Sequence, residues 1–347
     1  MNKNLLLVLF TAVLIVLPAC KTQSVAQKKK KKPEWVDNLN SVYNDDYYIA
    51  NVGIADTRDA AKQRAAAGIS ERFQTKISVD QTYRQRYDAY IDATGNMTET
   101  GVENLDKKIR TVSEQVLVNV AYSDFYTDET GKIFVAAYLD RQKTSTIYTD
   151  RIMSNDRSID QFMSGSKAAS DAVERYAYAN AAYIVSLNNQ MLREQLQVIK
   201  QGAAPLTMNT HGEITEARAK AAADVKYLIN IEGDVDNKVI TKLKEVLTGE
   251  GFTIIDSESE AVLTLDTKVG FEKLDLDRKD AIFIGWSVQM SMKDNANTTI
   301  FSLAKEGRDG GKNITGAERM SMRTIYKYID VDFNRELSSY FDGMVLK

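Results

Sequence analysis

An apolar run from Leu5 to Ala19 stops at Cys20, the only cysteine of the 347-residue chain. A single lysine, Lys3, precedes the run and small residues close it, which is the layout of an export signal. A bilayer-spanning helix needs roughly 20 consecutive apolar residues, so this run is short for one. Residues 1–19 are therefore expected to be removed, and the fold must be built from residues 20–347. No second cysteine can staple that remainder with an intramolecular disulfide, and the lone thiol of an exported chain needs a use of its own.

Leu17-Pro18-Ala19-Cys20 resembles the lipobox of bacterial lipoproteins. The resemblance implies cleavage before Cys20, a diacylglycerol on its sulfur and an added N-acyl chain of the palmitate kind. Each buried methylene contributes about 0.8 kcal/mol, so two or three acyl chains anchor a protein firmly. Lys21, not Asp, follows the cysteine. By resemblance to envelope sorting rules this favours the outer membrane, and no acidic cluster follows that would direct the chain to the cell exterior. The expected location is the cell outer membrane, lipid-anchored and facing the periplasm.

Charge is divided unevenly along the chain. From Cys20 onward there are 44 basic residues (all but Lys3) against 48 acidic ones, and Lys28–Lys32 account for five of the bases. Without those five the body holds 39 against 48, a formal charge of −9. A basic run close to an acyl anchor gains about 1 kcal/mol per residue from anionic lipid, while like-charge runs also serve as solvated spacers. Both readings stay open for residues 20–32. An acidic body on an exported chain excludes nucleic acid as a partner.

From Pro33 the pattern becomes globular. Tyr48, Ala50, Val52 and Ile54 alternate as a strand. Asp56 or Thr57 can cap the helix that follows, in which Ala61, Ala65, Ile69, Phe73 and Ile77 form one apolar stripe. The polar stretch Asp88–Asn104, with Gly95 and Gly101, reads as a loop or wide hairpin. Val116, Val118, Val120 and Tyr122 form another strand. The turn at Asp128–Gly131 leads to its antiparallel partner with Ile133, Val135, Ala137 and Leu139. Residues 33–140 are thus expected as one α+β unit.

Residues 141–201 change to helical periodicity, first through Ile147, Ile152, Ile159 and Phe162. After Gly165 it continues through Ala169, Val173, Tyr176, Tyr183, Leu187, Met191 and Val198. A hairpin reversing at Gly165–Ser166 is favoured over an arm offered to a partner, because the stripe lacks the steady leucines of a coiled coil. Residues 202–223, with Gly202, Pro205 and Gly212, read as a linker. The segment 224–347 then has the order β-α-β-β-β-β-α. Its helix after Ile231 is capped by Asp236 or Asn237, its clearest strand is Ile282–Met292, and its last helix carries Met322, Ile325, Ile329, Phe333, Leu337 and Phe341. The fold class expected is α+β: a lipidated tether, an α+β domain, a helical hairpin segment, and a second α+β domain with a mostly antiparallel sheet and helices on one face.

Residues able to do chemistry are few. His211, the only histidine, falls in the linker and reads as solvated. Ser164-Gly165-Ser166-Lys167 matches S-x-x-K but lacks the companion elements of the serine acyl-enzymes. Gly307–Lys312 fails the spacing of a phosphate loop, with Asn313 where a hydroxyl is required, and reads as a turn. Asp234/Asp236 and Asp275/Asp277 do not extend into a calcium loop and read as caps and turns. No catalytic residue, metal ligand or cofactor is assigned, and the chain is read as not an enzyme. Cys20 is the one residue with assignable chemistry.

Pro33-x-Trp35-Val36, Tyr48–Ala55, the alanine-spaced helix Ala60–Phe73 and the strand Gly131–Leu139 resemble the LPP20 family of bacterial lipoproteins over about residues 33–140. The resemblance implies an envelope lipoprotein with a small α+β domain, in some members tied to the assembly of surface organelles, and it brings no catalytic residues. The C-terminal unit is similar, in element order alone, to envelope assembly domains of the CsgG and TolB types. The expected function is a non-enzymatic periplasmic scaffold or assembly module working through envelope proteins, with contacts along the helices between Ile147 and Val198 or at a sheet edge. A regulator or partner of a peptidoglycan-synthesis enzyme is the alternative, and a cell-wall hydrolase the third.

Overall fold

A computed structural model describes residues 31–73, 81–94, 119–234, 236–276 and 281–346. In it the chain is α+β, with two sheets carried on one helical hairpin.

Two short turns of helix, α1 (Glu34–Asp37) and α2 (Leu39–Val42), lead into β1 (Tyr48–Ala55) and α3 (Arg58–Ser70). The Thr57 side chain caps α3 by accepting from Ala60 N–H at 3.2 Å. Strand β1 pairs antiparallel with β4 (Ile133–Asp140), whose other edge carries the two-residue strands β2 (Ala121–Tyr122) and β3 (Tyr126–Thr127). Ala61, Ala65, Ile69 and Phe73 are fully buried, as their spacing predicts; Ile77, Val116 and Val118 lie outside the described residues. The side of β1 that meets α3 is not the one the alternation suggests. Ile49, Asn51, Gly53 and Ala55 face the helix, whereas Ile54 is 42% exposed.

The reason is a backbone-close contact. A Cβ on Gly53 would lie 1.9 Å from the Ala61 carbonyl oxygen, and one on Gly68 would lie 2.0 Å from the Asn51 amide. Glycines and alanines are spaced here to let helix and sheet touch, so hydrophobicity alone points to the wrong face.

Helix α4 (Gln81–Thr94) occupies part of the polar stretch expected to be a loop. Its stripe is made of Tyr83, Tyr87, Tyr90 and Ile91, which pack against the hairpin helices while each phenol keeps a polar end. The hairpin itself is α5 (Arg141–Ala168) and α6 (Ala172–Ile199). It reverses at 169–171, beyond Gly165, where the Asp171 carboxylate accepts from Val173 N–H and Glu174 N–H. Gly165 is instead inside α5, where it makes room for the Tyr178 ring.

Helix α6 is the spine of the molecule. Its first turns (Val173, Tyr176, Ala177, Ala179) belong to the core under the C-terminal sheet, its middle (Ala181, Ala182, Ile184, Val185) packs on α4, and its end (Leu192, Leu196, Ile199) packs under the N-terminal sheet. The buried stripe is rotated from the expected one, leaving Leu187 and Met191 half-buried and Val198 exposed. A helix needed on several sides has no single apolar face.

Residues read as linker are half helix: α7 spans His211–Asp224. Thr210 and Glu213 form a reciprocal capping box at its start. The C-terminal sheet has the order β6-β5-β7-β8-β9, from β5 (Lys226–Glu232), β6 (Thr253–Ile255), β7 (Leu263–Leu274), β8 (Ile282–Asp294) and β9 (Thr299–Gly311). The long pairings β7–β8 and β8–β9 are antiparallel, but β5 lies parallel to both β6 and β7, so the sheet is mixed. Helices α8 (Lys238–Gly249), α9 (Ile314–Tyr328) and α10 (Asn334–Val345) share its core with α6. Asp234, not Asp236 or Asn237, caps α8, accepting from Lys238 N–H and Ile240 N–H.

Between α9 and α10 the chain makes a π-turn, Ile329–Phe333. Ile325, Ile329, Phe333, Leu337 and Phe341 recur strictly at fours, a period longer than the 3.6 of an α-helix. The wider turn keeps all five in the core.

Candidate functional site

Cys20 lies outside the described residues, as does the tether up to residue 30. The body begins immediately behind it: Lys32 pairs with Asp37, and Trp35 is buried, 7% exposed. None of the described helices is long and apolar enough to cross a membrane.

The motif candidates are occupied by the fold. Ser166 of the S-x-x-K match donates its hydroxyl proton to the Arg175 carbonyl at 3.0 Å, closing the hairpin, while Ser164 and Lys167 are exposed. The Gly307–Gly311 stretch is not a turn but the end of β9. Gly307 lies against the Trp286 ring, and Asp309 accepts from Trp286 Nε1 at 2.8 Å. Asp275 is exposed, and Asp277 lies outside the described residues.

His211 is the residue whose surroundings differ most from the expectation. It stands at the first position of α7, half-buried, its ring stacked on Tyr183 with centroids 5.7 Å apart. Its Nδ1 is 2.8 Å from Ser186 Oγ. Ser186 in turn donates to the Tyr183 carbonyl at 2.8 Å. When that proton goes to the carbonyl, Oγ is left to accept from Nδ1–H of the ring. Burial lowers the His211 pKa.

Ser186 and His211 open onto a polar niche of about 210 Å³ between α5, α6 and the segment before α7, which Asp156, Asn189, Arg193 and Asn209 also line. Asp156 accepts from Asn189 at 2.7 Å and from Arg193 at 3.0 Å, and Arg193 donates to the Pro205 carbonyl at 2.6 Å. Burial raises the Asp156 pKa against the pull of Arg193. Serine, histidine and aspartate thus line one niche without forming a relay: the carboxylate is spent on Asn189 and Arg193, and the serine proton points to a carbonyl. The arrangement ties residues 203–211 to the hairpin.

The larger concavity, about 680 Å³, is the uncovered face of the C-terminal sheet, lined by Asn230, Asp266, Lys268, Gln289, Ser291 and Ser302 among others. Asp266 is held by Asn230 at 2.9 Å and Lys293 at 2.8 Å. Burial raises its pKa, and these two partners outweigh that and lower it. The face is polar, as expected of an antiparallel region with water on one side. Among the described residues no cluster of His, Cys, Asp and Glu is arranged to hold a metal ion.

The N-terminal geometry bears directly on relationship. The close contact of Asn51 and Gly53 with Ala61, Ala65 and Gly68 uses the residues that carry the resemblance noted in the sequence. Residues 33–140 match the LPP20 lipoprotein family. The LPP20 segment covers β1 to β4 and stops where the hairpin begins. No curated protein sequence matches the chain. Among solved structures, a secreted protein from Helicobacter pylori is similar at 11% identity, with 84% of this chain and 97% of that chain covered and a TM-score of 0.42. A minor lipoprotein from Acinetobacter baumannii is similar to the extent of 14% identity, 33% and 93% coverage and a TM-score of 0.27. Neither likeness is close enough to carry a role across.

Proposed function

We propose that this protein is a lipid-anchored scaffold of the cell envelope, held at the outer membrane by acylated Cys20 with its body in the periplasm, where it acts through protein contacts and not as an enzyme. The observation that carries the reading is the position of the LPP20 match: a lipoprotein family segment starts at Pro33, directly behind a lipobox-like Cys20 and a basic tether. The body is suited to presenting surfaces at a fixed geometry, because one helical hairpin packs into all three of its cores.

The sequence points to contacts along the helices between Ile147 and Val198 or at a sheet edge, and the body displays one further surface. Helices α5 and α6 bury most of their apolar residues internally but leave Met153 and Val198 exposed. That surface is the segment before α7, where Leu206 is 99% and Met208 83% exposed while Arg193 and Asn209 hold the backbone in place. These two apolar side chains, displayed on a tied-down segment, are the contact surface of the proposal. Photo-crosslinking in cells from positions 206 and 208 tests the reading. A scaffold gives discrete adducts with one or a few envelope proteins, and the absence of any adduct from either position contradicts it.

A further inference from the structure

Strand β9 closes one side of the C-terminal sheet. It is 13 residues long, pairs with β8 along its length, and among the described residues has no strand or hydrogen-bonded segment on its outer edge. We propose that this edge pairs with the same edge of a second copy of the chain, antiparallel, about a twofold axis passing through Gly307.

The order of charges carries the proposal. A twofold axis perpendicular to the sheet keeps the helix-covered faces of both copies on the same side, so each residue opposes one of equal parity. With Gly307 on the axis, Glu306 of each copy faces Arg308 of the other, and Lys305 faces Asp309. All four cross-strand charge pairs are of opposite sign. Moving the axis to Glu306 or to Arg308 sets that residue against itself, and axes at Lys305 or Asp309 do the same, which disfavours each of these registers. Charged side chains on an edge strand ordinarily keep other strands away. Here the same charges reject the registers centred on a charged residue, and only the axis at Gly307 sets each of the four against an opposite charge.

The two side chains on the open face are free to pair. Glu306 and Arg308 are exposed on the uncovered face and have no ion-pair partner among the described residues. Asp309 has one oxygen on Trp286 Nε1, leaving the other available. On the helix side Lys305 is already engaged, 3.5 Å from Asp332 and 4.8 Å over the Tyr328 ring, so the matching rests chiefly on Glu306 and Arg308. The axis residue is one that a larger side chain could not replace in place, since a Cβ there would meet the Trp286 ring at 2.5 Å.

The test uses the full lipid-anchored protein in detergent, with mass measured by sedimentation across a dilution series. The parent dimerises. Glu306→Arg or Arg308→Glu alone puts two like-charge pairs at the interface and weakens dimerisation about tenfold or more, while the double variant E306R/R308E restores it to within about threefold of the parent. Both positions are exposed, and an unchanged circular dichroism spectrum separates this from misfolding. As a second readout, E306C/R308C forms an interchain disulfide-linked dimer on mild oxidation. A parent that stays monomeric, or a dimer indifferent to both single reversals, overturns the proposal.

Discussion

Arg86 and Asp342, 256 positions apart, form a two-pronged ion pair: Arg86 Nε donates to Asp342 Oδ2 at 2.8 Å and a terminal nitrogen donates to Oδ1 at 2.6 Å. Both side chains are about 15% exposed, and the buried Tyr90 hydroxyl donates to the same carboxylate. Burial lowers the Arg86 pKa, and Tyr90 and Asp342 reverse that and raise it. The pair fastens α4, which lies between β1 and β2 in the chain, to α10 at its far end.

Breaking it from one side leaves a buried charge without its counterion. Arg86→Ala or Asp342→Ala is expected to cost about 3–5 kcal/mol, and the double variant less than the sum of the two. Urea unfolding of the four proteins in a double-mutant cycle measures both. Additive losses would show that the two residues act separately.

Gly53→Ala places a methyl group into the Ala61 carbonyl and the backbone of Ala65. Overpacking of this kind costs about 1–3 kcal/mol, and the same holds for Gly68→Ala against Asn51. Gly131→Ala is a useful contrast, since nothing lies within 4 Å of its Cβ position and only its left-handed backbone, φ 84°, opposes the change. Thermal melts should order Gly53→Ala below Gly131→Ala.

His211, as the only histidine, gives an unobstructed NMR titration. Its folded-state pKa lies below 6.5 because burial disfavours the charged ring. A group depressed in this way contributes stability that is full above the unfolded value and is lost as pH falls through the folded one. The melting temperature of the parent should therefore fall more between pH 7 and pH 5 than that of His211→Gln. A titration midpoint at or above 6.5 would return His211 to the status of a solvated residue.

Much of this fold is legible in the sequence. The alanine stripe of α3, the turn at Asp128–Gly131 and the alternation along β8 state their structures directly, because each local pattern agrees with its tertiary environment. The failures have physical causes. The stripe of α4 is written in tyrosines and hides in a polar stretch. The glycine and proline residues around 202–212 mask Thr210-x-x-Glu213, a helix-start signature present in the sequence all along. Helix α6 packs on several sides, so no single face announces which residues are buried. The Ser186–His211 contact joins two elements 25 positions apart and has no local signal.

The alkaline limb of stability is set by the tyrosines. Burial pushes Tyr340 up to about 12 and raises Tyr90 and Tyr176 as well. These phenols stay protonated in the folded chain while the unfolded chain ionises near pH 10. Stability is then intact below pH 10 and declines as pH rises from there toward 12. Ultraviolet titration at 295 nm should show ionisation of these residues only together with loss of near-ultraviolet circular dichroism.

The central claim is that a lipid on Cys20 places a protein-binding body at the membrane. Membrane fractionation and fatty-acid labelling of Cys20→Ala test it most directly. The variant is expected to take up no lipid label and to leave the membrane fraction, while its body remains folded. A variant that keeps its label, or that stays in the membrane without it, would contradict the claim.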